Sequence, residues 1–169
     1  MSVYPIPYDF INKIIELSWC DIRWGYEREI ITLDIPINEA ERRVLSGSYT
    51  DRELELSFVI PGQSDEVISL LKLLCSECEM DDESTAKQKW LFIVLRWLWE
   101  NRHSFNDPLN EIAGIYADFS YPAEIEGFVN YMPPSDGYDP VIHTETENIN
   151  RLMDNWRYYL ERTSSVFER

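Results

Sequence analysis

Lys89-Trp90-Leu91-Phe92-Ile93-Val94-Leu95-Arg96-Trp97-Leu98-Trp99-Glu100 is apolar almost all the way round at helical spacing, in a chain whose formal net charge is -16. Its polar positions shrink to the narrow stripe of Lys89, Arg96 and Glu100. A helix with so thin a polar face has to be surrounded by other elements. The stretch therefore predicts a buried central helix over residues 87–103 in an all-α fold.

Helix-start signals recur on both sides of this rod. Asp9 can cap a helix with Phe10, Ile11, Ile14 and Ile15 on one face, and Ser18-x-x-Asp21 is a capping-box variant leading into Ile22 and Trp24. Gly25 weakens that second helix. Ile30 to Ile35 reads as extended, Pro36 as the start of the next helix with Ile37, Ala40, Val44 and Leu45 inward, and Gly47 as its stop. Thr50-x-x-Glu53 is a capping box before Leu54 and Phe58, although residues 54–60 also alternate at period two as a strand would. Helix is the preferred reading there. Ser64 caps a segment in which Val67, Ile68, Leu71, Leu74, Cys75 and Cys78 keep a 3.6 period.

Beyond the rod, Asp107-Pro108 opens a helix with Leu109, Ile112, Tyr116 and Phe119 on one side, and Pro122 opens another through Ile125, Phe128 and Val129. Residues 133–142 form the longest expected loop. Thr144-x-x-Glu147 then starts a final helix carrying Ile149, Leu152, Met153, Trp156, Tyr159 and Leu160 inward. The expectation is an irregular layered array of about eight helices in one domain, residues 1–169, with a minor β-hairpin at 28–35 or 54–60 as the variant.

A chain of 169 residues can bury a sizeable core without disulfides. Three cysteines, Cys20, Cys75 and Cys78, and no apolar leader predict a reducing cytoplasm. The apolar run from Trp90 to Trp99 is about half the roughly 20 residues that a membrane span needs, so a soluble protein is expected. Acid is concentrated in residues 34–83, net -9, and 104–169, net -8, whereas residues 84–103 are net +3. Such a surface repels a phosphate backbone and attracts a basic protein partner, so protein rather than nucleic acid or membrane is the predicted target. The plainer alternative is that the acids only keep the chain soluble.

No residue pattern specifies a reaction. Cys75-x-x-Cys78 has the spacing of redox pairs and zinc knuckles, but its residues fall late on an apolar helical face, and Cys20, His103 and His143 form no second paired motif. Buried structural cysteines are expected. The run Glu77, Glu79, Asp81, Asp82, Glu83 lacks the glycine and alternating ligands of a calcium loop, and His103, Ser104 and Asp107 read as helix caps. No glycine-rich phosphate loop, zinc-protease or nucleophile-elbow motif is present, so no catalytic, cofactor or metal residue is assigned. Trp90, Trp97, Trp99 and Trp156 read as core. Tyr49, Tyr131 and Tyr138 sit among prolines, glycines and acids, the composition of a protein-binding rim or of an ordinary loop folded back on its core. Asp81, Asp82, Glu83, Tyr138 and Asp139 are the candidate partner-binding residues.

Residues 17–25 (Leu-Ser-Trp-Cys-Asp-Ile-Arg-Trp-Gly), the rod from Lys89 through Glu100-Asn101-Arg102, Asp107-Pro108-Leu109, residues 115–125 and the ending Phe128-Val129-x-Tyr131-Met132-Pro133 together resemble a family of small bacterial proteins known only as a domain of unknown function. The likeness covers most of residues 8–133. It implies an association with immunity proteins encoded beside toxins, and hence stoichiometric blocking of a cationic toxin domain. It carries no catalytic residues. A helical adaptor with another partner, or an enzyme using dispersed carboxylates, are the readings from other classes.

Overall fold

In the computed structural model, which describes residues 3–78 and 83–168, the segment that decides the fold is helix throughout, and every residue from Trp90 to Leu95 is buried. It belongs to α6, Glu83–Glu100, which starts four residues before the expected rod and stops three short of its end. Residues Arg102–Ser104 are instead one turn of 3-10 helix. The other α-helices are α1 (Tyr8–Ile14), α2 (Trp19–Glu27), α3 (Asp34–Leu45), α4 (Asp51–Ser57), α5 (Ser64–Ser76), α7 (Pro108–Asp118) and α8 (Glu145–Phe167). The all-α expectation holds. Neither candidate hairpin forms among the described residues: 54–57 complete α4, and the stretch from 28 is turn and bend until α3 begins.

Local capping chemistry accounts for many of the boundaries. Ser18 and Asp21, Thr50 and Glu53, and Thr144 and Glu147 each form a reciprocal capping box, and the Asp107 carboxylate accepts from the Asn110 N–H ahead of Pro108. Other starts lie off the expected residue. Asp9 is inside the first turn of α1 rather than at its cap, α3 opens at Asp34 rather than Pro36, and Ser64 is the first helical residue of α5 rather than its cap. Residues Ala123–Phe128 wind as 3-10 helix.

The chain divides into two compact units, with the boundary inside α6 between Trp90 and Leu91. In the first, α3 packs on α4, α2 and α4 on α5, and α1 on α3. The helix that Gly25 interrupts is short, nine residues, and the glycine has a packing role besides: a Cβ there would lie 2.6 Å from Cε2 of the Trp90 indole, so only a bare backbone lets α2 meet α6 at that level. Trp90 Nε1 donates to the Asp21 carbonyl at 2.7 Å. The buried face of α3 is Ile35, Pro36, Glu39 and Ala40, whereas Leu45, expected inside, is 87% exposed. Phe58 is likewise outside, because α4 ends one residue before it.

The cysteines correct the sequence reading most sharply. Cys75 is buried on α5 as expected, but it is joined in a disulfide to Cys20 of α2, with Cα atoms 4.6 Å apart. Cys78 remains a free thiol, half-buried. In the second unit, α7 and α8 both pack against the 123–128 turn. Trp156 and Phe128 stack within its core, and Trp99 meets Trp156 edge-to-face at 4.9 Å. Among the described residues no helix is long and apolar enough to cross a membrane.

Candidate functional site

Among the described residues three carboxylates are buried, and all three lie in the first unit. Glu39 of α3 accepts from Tyr8 at 2.6 Å, from Arg42 at 2.6 and 3.2 Å, and from Arg43 at 2.9 Å. Glu53 of α4 accepts from Trp19 Nε1 at 3.0 Å, Arg43 at 3.2 Å and the Thr50 N–H at 2.9 Å. Arg43 ties the two together, and its guanidinium also covers the Trp19 ring. Burial pushes Glu39 and Glu53 up, but the donors outweigh it and hold both below the ordinary carboxylate range. Burial and the neighbouring Glu39 push the Tyr8 hydroxyl up to about 12. The third carboxylate, Asp21, binds Lys89 at 2.7 Å while closing the capping box of α2.

This network is a brace between helices. The cavity beside it, lined by Tyr8 and Glu39 among others, is about 10 Å³, room for one water and no substrate. Among the described residues no group of three His, Cys, Asp or Glu side chains is placed to hold a metal ion.

Of the candidate partner-binding residues, Asp81 and Asp82 lie outside the described residues. Glu83 opens α6 in the first unit, largely exposed, and pairs with Arg28. Tyr138 and Asp139 are together in the second unit, on the loop that feeds α8. The Asp139 carboxylate accepts from the Val141 N–H and caps a 3-10 turn, Pro140–Ile142, whose proline needs no donor partner. Tyr138 is half-buried. Its hydroxyl donates to Asn148 at 2.6 Å, its ring stacks on His143 at 4.5 Å, and Arg151 lies over it at 4.2 Å while gripping both oxygens of Asp136 at 2.8 and 2.7 Å. Asn148 in turn donates to the Pro140 carbonyl, and His143 pairs with Glu147. The loop is thus cross-linked to the first two turns of α8.

What this frame presents was not read from the sequence. Val141 is 89% exposed, Ile142 75% and Ile149, expected inside, 43%. Asp139, Glu145 and Glu147, their neighbours in sequence, are exposed as well. Two aliphatic side chains held out of the core by a fixed loop, and a third exposed on the first turns of α8, all among sequence-neighbouring carboxylates, are suited to burial against a protein. The signal was the pair Val141-Ile142 between a proline and a capping box, where no helical periodicity explains two aliphatics. The hollow next to it, bounded by Tyr138, His143, Arg151 and Asp154, is wide open rather than a pocket.

A family model described as "uncharacterized protein conserved in bacteria" (DUF2247) matches residues 8–164. No curated protein and no solved structure matches the chain.

Proposed function

This chain belongs to that bacterial family of unknown function, and we propose that it is a protein-binding module whose patch of Val141, Ile142 and Ile149 receives a cationic partner. The sharper form of the proposal is an immunity protein that neutralises a basic toxin domain by stoichiometric cover. The observation that carries the reading is the exposure of Val141, Ile142 and Ile149 among sequence-neighbouring carboxylates, on a chain of net charge -16. Apolar anchors would supply affinity by desolvation, and the carboxylates would raise the encounter rate and reject acidic competitors. Cross-linking by Tyr138, Asn148 and Arg151 lowers the ordering cost of binding, since the loop is already fixed.

The test is co-purification with a tagged basic protein encoded beside this gene, followed by binding kinetics. Val141→Asp with Ile142→Asp should abolish the complex by speeding dissociation, while Asp139→Lys and Glu83→Lys should slow association and flatten its salt dependence. A verified complex that tolerates the Val141/Ile142 double substitution would remove this patch from the interface. A neighbour that is no toxin but still binds would favour the adaptor role.

A further inference from the structure

The second unit holds a groove of about 550 Å³ where the end of α6 and the last turns of α8 approach, and three of the chain's eleven arginines line it: Arg96, Arg102 and Arg157. They differ in commitment. Arg96 is held by Glu100 at 2.9 Å and Glu168 at 3.5 Å. Among the described residues Arg157 pairs only with Asp154, at 3.3 Å, an exposed pair of the kind worth little. Arg102 has no carboxylate partner among the described residues. Its Nη1 donates to the Trp99 carbonyl at 2.6 Å and its guanidinium lies 4.2 Å over the Trp99 indole, which fixes the fork while leaving other N–H donors uncommitted.

We propose that this groove binds a small organic phosphate, with Arg102 and Arg157 on the phosphate and the half-buried Trp99 against its apolar body. A rigid guanidinium fork matches phosphate oxygens two at a time, and such charge-assisted bonds are the strong ones. Glu100 and Glu161 also line the groove, and they disfavour a second anionic group, so a monophosphate fits better than a polyphosphate. The chain's net charge does not forbid the site. Surface charges farther than about 8 Å are largely screened at physiological salt, so the groove's own arginines and glutamates decide the local balance.

Titration of the full chain with phenyl phosphate, benzoate and inorganic phosphate, followed by calorimetry and by the arginine Nε–H resonances, tests this. Phenyl phosphate should saturate one site, bind at least tenfold more tightly than either other probe, and shift the Arg102 signal. Arg102→Gln and Arg157→Gln should each weaken it about tenfold. Arg102→Lys should recover little, since it keeps charge without the fork. If Arg102→Gln fails to fold, the exposed Arg157 carries the test. Benzoate binding as tightly as phenyl phosphate, inorganic phosphate doing so, or no saturation with any probe would each overturn the proposal. None of these outcomes bears on the Val141 patch.

Discussion

Gly25 and Trp90 meet with no room for a methyl group: a Cβ on the glycine would fall 2.6 to 2.9 Å from three atoms of the indole. The indole cannot retreat easily, because it is fully buried and its N–H is bound to the Asp21 carbonyl. Gly25→Ala should therefore destabilise the fold by about 1–3 kcal/mol, the usual cost of overpacking, despite the better helix propensity of alanine. Denaturant unfolding measures it. A variant as stable as the parent would show that the contact relaxes freely.

The brace around Arg43 should fail when its fork is removed. Arg43→Ala strips donors from Glu39 and Glu53 together and uncovers Trp19, and an expected loss is about 3 kcal/mol, in the range for breaking a buried ion pair. Arg43→Lys should restore less than half, since one ammonium cannot reach both carboxylates and the Leu17 carbonyl at once. Equal stability of the lysine variant and the parent would reduce Arg43 to a point charge.

Stability should fall at both ends of the pH scale, for two different groups. Glu39 and Glu53 titrate lower in the fold than when unfolded, so their contribution is complete above the ordinary carboxylate value of 4.5 and is lost as pH drops through the folded values. Tyr8 titrates higher in the fold, so its contribution is complete below 10 and is lost between 10 and about 12. Tyr8→Phe should make the alkaline limb shallower in a series of thermal unfolding midpoints. An unchanged alkaline limb would remove Tyr8 from the account.

The disulfide closes a separation of 55 residues, for which loop entropy predicts about 4 kcal/mol of stabilisation. Cys20→Ser with Cys75→Ser, or reduction under native conditions, should lower the denaturant midpoint accordingly. Thiol labelling of the unreduced, unfolded chain should find one reactive cysteine, Cys78. Finding three would sink the assignment.

The helix starts at Ser18, Thr50 and Thr144 were legible because a cap and its partner stand three residues apart, that at Asp107 because a proline follows it, and the burial of Trp90 to Leu95 because no polar face interrupts it. Pairings across the chain were not legible. Tyr8 and Glu39 are 31 residues apart and Cys20 and Cys75 are 55 apart, and nothing local marks either as a partner. The face of α3 was misread for a related reason. A carboxylate gripped by two arginines looks like solvent-facing charge in sequence, yet Glu39 is 6% exposed, and the aliphatic Leu45 took its place in the expected core. Tyr138 looked like an exposed anchor because its loop is polar, whereas both its ring and its hydroxyl serve the frame that lifts Val141 and Ile142.

Arg28, Arg43, Arg102 and Arg151 each lie over an aromatic ring, on Trp24, Trp19, Trp99 and Tyr138. Cations are scarce here, 15 lysines and arginines against 31 acids, and these four are employed as mortar between rings and helices. Three of them also pair with carboxylates, yet acids still exceed cations by 16, so the exterior repels itself and dissolved counterions take over the remaining neutralisation. Such a molecule hardens in brine: moderate sodium chloride should raise its melting temperature, where a charge-balanced homologue would be indifferent.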